Sequence, residues 1–219
     1  MAISVDNSYG TMVDSTGSSS FSYTTAAGSQ MYVLTSEVVT AVTYNSSSLT
    51  KIIDFEPAIH DGNQQKIKVW YLSNPSSGSN TLATTLSGQD TCSVVTFTGM
   101  ASTQPHDYLT RYSNNGTINT QVSALDLGHA TTAYNSYMLL FAMGSSGTMV
   151  AGSNTTKITG HDSIFTRSSA IHRSTNIVGT PGSITLENQR SSGSTFMSII
   201  AMPISPVFES SGSFMNYFI

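Results

Sequence analysis

The sequence predicts an all-β protein folded as an antiparallel β-sandwich of the jelly-roll kind, and three observations predict it. Short runs rich in Val, Ile, Thr, Tyr and Phe recur along the chain. Clusters of Gly, Ser, Asn and Pro separate them. No segment of helical length carries an apolar stripe at i, i+3, i+4 and i+7 that is free of Gly or β-branched clusters. Many short strands punctuated by turn chemistry are the pattern of a sandwich or jelly roll.

Residues 1–22 read as an extended N-terminal arm, because they are polar and run through Ser15-Thr16-Gly17-Ser18-Ser19-Ser20, the composition of a flexible or draped segment. Strand signals then begin at Met31–Thr35 and Val38–Tyr44, closed by Asn45-Ser46-Ser47-Ser48. Lys66–Leu72 is the strongest strand. Lys66, Lys68, Trp70 and Leu72 share one face, and Ile67, Val69 and Tyr71 share the other. Asn74-Pro75-Ser76-Ser77-Gly78 ends it, since Pro donates nothing to a ladder and Gly tolerates the turn. Further strands are expected at Thr81–Leu86, Cys92–Phe97, Gln121–Leu127, Ser136–Met143, Ser183–Glu187 and Phe196–Pro203, with weaker signals at 148–151, 155–159 and 163–167. No internal repeat is evident. At 219 residues the chain fits one large β domain, expected over 23–205.

Residues 206–219 differ from the rest. A Ser/Gly stretch, Ser210–Ser213, leads to Phe214-Met215-Asn216-Tyr217-Phe218-Ile219. Leaving large apolar side chains in water forgoes about 1.5–3 kcal/mol each. Phe208, Phe214, Met215, Tyr217, Phe218 and Ile219 are therefore candidate docking residues, on the chain's own domain, on a neighbouring copy or on another protein.

Charged residues make up only 9% of the chain, against roughly 25% in an ordinary domain. Ser, Thr, Asn and Gly take their place. A surface of hydroxyls and amides is cheaper to desolvate than one of Lys and Glu, which suits stable assemblies; it equally suits an extracellular or salt-adapted surface. With eight Lys plus Arg and no basic run, phosphate-neutralising nucleic-acid binding is not expected. Cys92 is the sole cysteine and lies in an apolar alternating run, so a buried inert thiol is expected. The first residues show no secretory signal, which points to synthesis in a cytoplasm, and no apolar stretch approaches 18 residues, so no membrane span is expected.

Candidate chemistry is sparse. His60-Asp61, His106-Asp107 and His161-Asp162 are adjacent pairs beside turn residues, better suited to backbone hydrogen bonding than to metal ligation. Asp54 and Glu56 have the spacing of a shared strand face, but Pro57 follows, which marks a loop or an edge strand with solvated acids. The chain has no Gly-x-Ser-x-Gly elbow, phosphate-cradling loop or dinucleotide fingerprint. No catalytic residue, metal ligand or cofactor is assigned, and no enzyme activity is expected. Trp70 reads as core, with a sugar-stacking platform as the alternative. Tyr108, Tyr112, Tyr134 and Tyr137 flank polar loops. Asn45, Asn115 and Asn154 stand in Asn-x-Ser/Thr sequences and read as turn chemistry.

From Val38 to Pro105 the chain resembles a known module. Val42-Thr43-Tyr44-Asn45 followed by Leu49-Thr50-Lys51, then Val69-Trp70-Tyr71-Leu72 with Asn74-Pro75, Ser77–Thr81, Val95–Gly99 and Thr103-Gln104-Pro105 are similar to the jelly-roll module of phage virion and bacterial surface proteins, of the concanavalin-like sandwich type. The likeness extends over about 23–205 through Ser136–Met143, Pro181–Leu186 and Phe196–Pro203. One departure is Ser46, where Gly is usual. The resemblance carries no catalytic residues. It implies a virion protein, most like a phage capsid decoration (cement) protein: a homo-oligomer, trimers being favoured, bound to the major capsid protein or another virion protein across capsomer junctions. The competing expectation is a glycan-binding module of a tail or fibre that contacts a cell-surface glycan through Tyr108, Tyr112, His161 and His172; a minor tail component is a third.

Overall fold

The structure is a computed structural model that describes residues 2–13, 17–57, 65–104, 106–113, 124–130, 136–145, 147–162, 167–175, 183–190 and 196–207, the side chains of 113, 124–130 and 183 excepted. The described residues form strands and turns and no helix, and every strand pair is antiparallel. The first half contains β1 (Ser4–Val13), β2 (Gly17–Thr25), β3 (Gln30–Thr35), β4 (Val39–Tyr44), β5 (Ser47–Ser48), β6 (Thr50–Phe55), β7 (Ile67–Ser73), β8 (Gly78–Leu86) and β9 (Asp90–Thr98). The second contains β10 (Leu109–Ser113), β11 (Ala124–Ala130), β12 (Tyr137–Gly144), β13 (Met149–Ala151), β14 (Thr155–His161), β15 (Ser168–Ser174), β16 (Ser183–Arg190) and β17 (Met197–Ile204).

The strands make four sheets. In the first half, a five-stranded sheet runs β1-β9-β3-β7-β6 and a smaller one β2-β8-β4-β5. In the second, the orders are β10-β17-β12-β15-β14 and β11-β16-β13. Replacing β1 by β10, β2 by β11, β3 by β12, β4 by β13, β6 by β14 and β7, β8, β9 by β15, β16, β17 turns one half into the other, β5 alone lacking a counterpart. The register agrees as well. Lys51 lies opposite Trp70, and a bulge follows it. Lys157 lies opposite His172, and a bulge follows it too. The chain is thus two copies of one strand plan, which corrects the expectation of a single unit without a repeat. The repetition survives in strand order and in which positions face inward. In sequence it leaves only Thr-Lys-Ile at 50–52 and 156–158, and Gly-Ser-x-Thr-Leu at 78–82 and 182–186.

Three apolar layers separate the four sheets. Val33, Val42, Trp70, Leu82 and Val94 fill the space between the two sheets of the first half. Leu140, Met149, Leu186 and Ile199 do so in the second. Between the two large sheets lies the biggest layer, with Tyr32, Leu34, Val69 and Phe97 from one half and Leu139, Phe141, Ile171 and Ile200 from the other. The large sheets are therefore buried on both faces, which is why Met31–Leu34 and Met138–Met143 are unbroken apolar runs with every residue buried.

The halves meet with a pseudo-two-fold. The Tyr32 and Phe141 rings lie 6.2 Å apart near the middle. At one side β1 crosses β14 at Gly10 and Gly160, where a Cβ on Gly10 would fall 2.3 Å from the Gly160 carbonyl oxygen. At the other, Phe55 of β6 packs on Tyr112 of β10, 6.4 Å between rings. These two contacts exchange when the halves are exchanged, as in an isologous dimer.

The described part of the first 22 residues, 2–13 and 17–22, is not an arm. Ser4–Val13 pairs along β9, and Gly17–Thr25 pairs with β8. Their low apolar content has a simple origin: β1 and β2 are edge strands with one wet side, so Ser and Thr suffice outside while Ile3, Val13 and Tyr23 are buried. The sequence signal also missed β6, β10 and β15. Phe208, Phe214, Met215, Tyr217, Phe218 and Ile219 lie outside the described residues.

Candidate functional site

The most distinctive surface is the outer face of β2-β8-β4-β5. Alternation sends Tyr23, Val42, Tyr44, Leu82 and Leu86 into the core and their neighbours to solvent. On the outer side Ser18 stands opposite Thr85, Ser20 opposite Ala83, Ser22 opposite Thr81 and Thr24 opposite Ser79. Across β8, Thr43 stands opposite Ala83, and Ser48 opposite Thr43. Ser22 and Ser79 share a hydroxyl hydrogen bond of 2.7 Å. The face is built of hydroxyls and methyls, with no charged residue in β2, β4, β5 or β8. Such a surface binds water without the strong hydration of an ammonium or carboxylate, so covering it is cheap.

The turn that closes this sheet explains the one departure from the module's pattern. Asn45 and Ser46 both have positive φ, 47° and 65°. That is the left-handed pair of a tight hairpin, where Gly is the natural second residue. Ser46 keeps the turn and carries the strain of a Cβ there. Asn154 likewise has φ 59° in a turn, in line with the turn reading of the Asn-x-Ser/Thr sequences at 45 and 154.

The residues named for glycan contact do not converge. Tyr108 is exposed, and Tyr112 packs on Phe55 beside it. His161 ends β14, at the opposite edge of the same five-stranded sheet, four strand spacings or roughly 19 Å away. His172 lies between those edges and is fully buried, its Nε2 2.7 Å from Asn188 Oδ1. Burial holds its pKa down to about 4. It is a core histidine and offers nothing to a surface ligand.

The other titratable residues are mostly tied to neighbours. Asp54 pairs with Lys51 and Glu56 with Lys66, so these two acids stand on an edge strand and its end as ion-paired surface groups. Lys66 also reaches Glu37 at 3.0 Å, and Arg167 reaches Glu37 at 2.7 Å and Ser36 Oγ at 2.8 Å, which links the two halves. Those cations hold the Glu37 carboxyl below the usual range despite partial burial. Asp162 accepts from the Met149 backbone N–H at 3.0 Å and pairs with Lys157 at 3.3 Å. The His106 ring packs edge-on against Tyr71, 4.8 Å between rings. His60-Asp61, Tyr134 and Asn115 lie outside the described residues. Cys92 is fully buried, and burial pushes its thiol up. Trp70 belongs to the core, with its indole N–H donating to Thr35 Oγ1 at 2.9 Å.

Two features had no signal in the sequence. Asp90 is buried beneath the β3–β4 connection. It accepts from the backbone N–H of Ser36 at 2.8 Å and of Thr91 at 2.7 Å, and burial raises its pKa to about 6. An open cleft of about 440 Å³ lies where the connection between the halves meets the C-terminal strap, lined by Gln30, Asn74, Met100, Ser102 and Val207. Val207 is exposed there. Among the described residues no three His, Cys, Asp or Glu side chains come together as a metal set, and no helix is long and apolar enough to cross a membrane. No family model, curated protein or solved structure matches this chain.

Proposed function

We propose that the chain is a non-enzymatic virion structural protein that lies on a phage capsid and stabilises it at capsomer junctions. The observation that carries this reading is the charge-free hydroxyl face of β2-β8-β4-β5, a four-stranded surface whose desolvation is cheap. The strand plan supports it. With β6 set aside, consecutive strands of the first half alternate between two sheets, β1-β9-β3-β7 and β2-β8-β4-β5, except for the β4-β5 hairpin within the second, an order compatible with jelly-roll wrapping. The second half repeats it. Jelly rolls recur in virion proteins and lectins. That analogy adds to the prior and does not assign the role by itself.

The test places charge on the face without touching the core. Thr81→Lys with Thr43→Lys is expected to abolish co-sedimentation with particles of the phage that encodes the chain, while the circular dichroism spectrum is unchanged. Particle binding that survives both lysines removes this face as the docking surface. The glycan reading keeps one favourable observation, the exposed Tyr108. Retention on a glycan array that Tyr108→Ala abolishes, with no affinity for particles, would replace the capsid reading by that one.

A further inference from the structure

An edge strand is a template for pairing unless something blunts it. Nearly every described edge in this molecule is blunted. β6 carries Lys51 and Asp54 and a bulge. β14 carries Lys157 and a bulge. β1 has a bulge around Asp6 and is crossed by β14. β10 carries Arg111, β5 has two residues and β13 three. β11, the counterpart of β2, has Asp126 opposite Glu187, where β2 has Ser20 opposite Ala83.

β2 has none of these devices within the strand itself; Asn7 and Asp6 of β1 reach only its end, at the Thr24 carbonyl and the Ala26 N–H. β2 runs nine residues in unbroken register with β8, without a charge, a proline or a bulge. Thr24 shows which way its backbone faces. The Thr24 carbonyl accepts from Asn7 Nδ2 at 2.8 Å, on the side away from β8. Backbone groups of alternate residues point the same way in an antiparallel strand. Ser22 and Ser20 therefore turn their N–H and C=O groups outward. Beside them sits an aromatic pair, Phe21 and the 46% exposed Tyr9, 5.1 Å between rings.

We propose that β2 pairs edge to edge with β2 of a second copy of this chain, antiparallel, about a two-fold axis at Phe21. Ser20 of one copy then exchanges backbone hydrogen bonds with Ser22 of the other. Phe21 lies opposite Phe21 in a non-hydrogen-bonded pair, the closer of the two pair types, and each Tyr9 closes over the junction. A second copy is the occupant the chemistry favours. It brings an equally uncharged strand, open at Ser20 and Ser22, and the two-fold matches each Tyr9–Phe21 pair with its equal. A single strand pair is a small contact beside the roughly 1,000 Å² that a specific interface needs, so association no tighter than the micromolar range is expected. Pairing about this axis also puts both hydroxyl faces on one side, as a continuous eight-stranded surface. That last consequence rests on the proposed docking face; the pairing does not.

Sedimentation equilibrium of the intact chain tests the pairing without any particle. A dimer is expected at about 100 μM. Ser20→Pro removes an outward N–H that no described strand uses, so it is expected to give a monomer with an unchanged thermal transition. Ser22→Lys, which puts a charge at the same edge and keeps every backbone donor, is expected to do the same. A wild-type monomer or trimer at that concentration, or a dimer that both variants leave intact, overturns the pairing. Failure of particle binding by a protein that dimerises overturns the docking face instead.

Discussion

The two halves share a strand plan but not a core. In the first half, β7 and β8 point Trp70, Leu82, Thr84 and Leu86 inward. In the second, the matching strands β15 and β16 point His172, Leu186, Asn188 and Arg190 inward. The second core is thus held partly by polar contacts. Asn188 bridges His172 Nε2 at 2.7 Å and the Met149 and Met197 sulfurs at 3.2 and 2.8 Å. His172 Nδ1 and the Nε and Nη2 of Arg190 are buried with no hydrogen-bond partner among the described residues. Burial pulls the Arg190 guanidinium down to about 10. One backbone plan accepts both solutions because the sheet dictates which positions face inward, whereas packing and hydrogen bonding decide which residues can occupy them.

Importing the second half's choice into the first should show the largest effect. Trp70→His removes the indole from the apolar layer and its hydrogen bond to Thr35, and is expected to lower stability by about 3 kcal/mol or more in chemical denaturation. A loss under 1 kcal/mol would mean that the first core tolerates polarity as the second does.

Acid should separate the halves next. His172 has a folded pKa of about 4 against 6.5 for the free group. The stability it contributes is complete above 6.5 and is lost as pH falls toward 4. Asp90, in the first half, has a folded pKa of about 6 against 3.8. Its contribution is complete below 3.8 and is lost as pH rises through 6. Each is worth about 3 kcal/mol across its window. Hydrogen exchange corrected for intrinsic rates, compared at about pH 7 and pH 4.5, is expected to deprotect β15 and β16 at the lower pH and to protect β9 and the β3–β4 connection. His172→Gln is expected to flatten the first response, and Asp90→Asn the second. Parallel shifts in both halves would show that they unfold as one unit.

The contact between the halves is a smaller lever. Gly10→Ala puts a methyl against the Gly160 carbonyl and is expected to destabilise by about 2 kcal/mol, read as a fall in the thermal midpoint. Ser46→Gly is the mildest change and acts on the first half alone. It relieves the left-handed serine and is expected to stabilise by about 1 kcal/mol.

Much of the strand content was legible before any coordinates. Met31–Thr35, Thr81–Leu86, Cys92–Phe97 and Ser136–Met143 all fall in strands, because β-branched and aromatic runs bounded by Gly, Asn and Pro have few other ways to satisfy their backbone. The burial of Trp70 and Cys92 was legible too, from the alternation of their strands. β1, β2 and β6 were not, since an edge strand with one wet side needs little apolar content. Nor was the layering. The unbroken runs at Met138–Met143 and Ile199–Ile204 were its trace, since an unbroken run means burial on both faces.

By itself the sequence determined that this chain is all-β, poor in charge and free of any spacing that specifies a metal or nucleotide site. These follow from local propensity, composition and short-range spacing, which need no partner in space. Only the tertiary structure decided that there are two halves, that they pack through their large sheets, that His172 is buried far from the tyrosines it was grouped with, and that β2 is left as the least guarded of the described edges. Each depends on which strands lie side by side. That is set by contacts between residues distant along the chain, whose inward positions recur even where their identities have diverged.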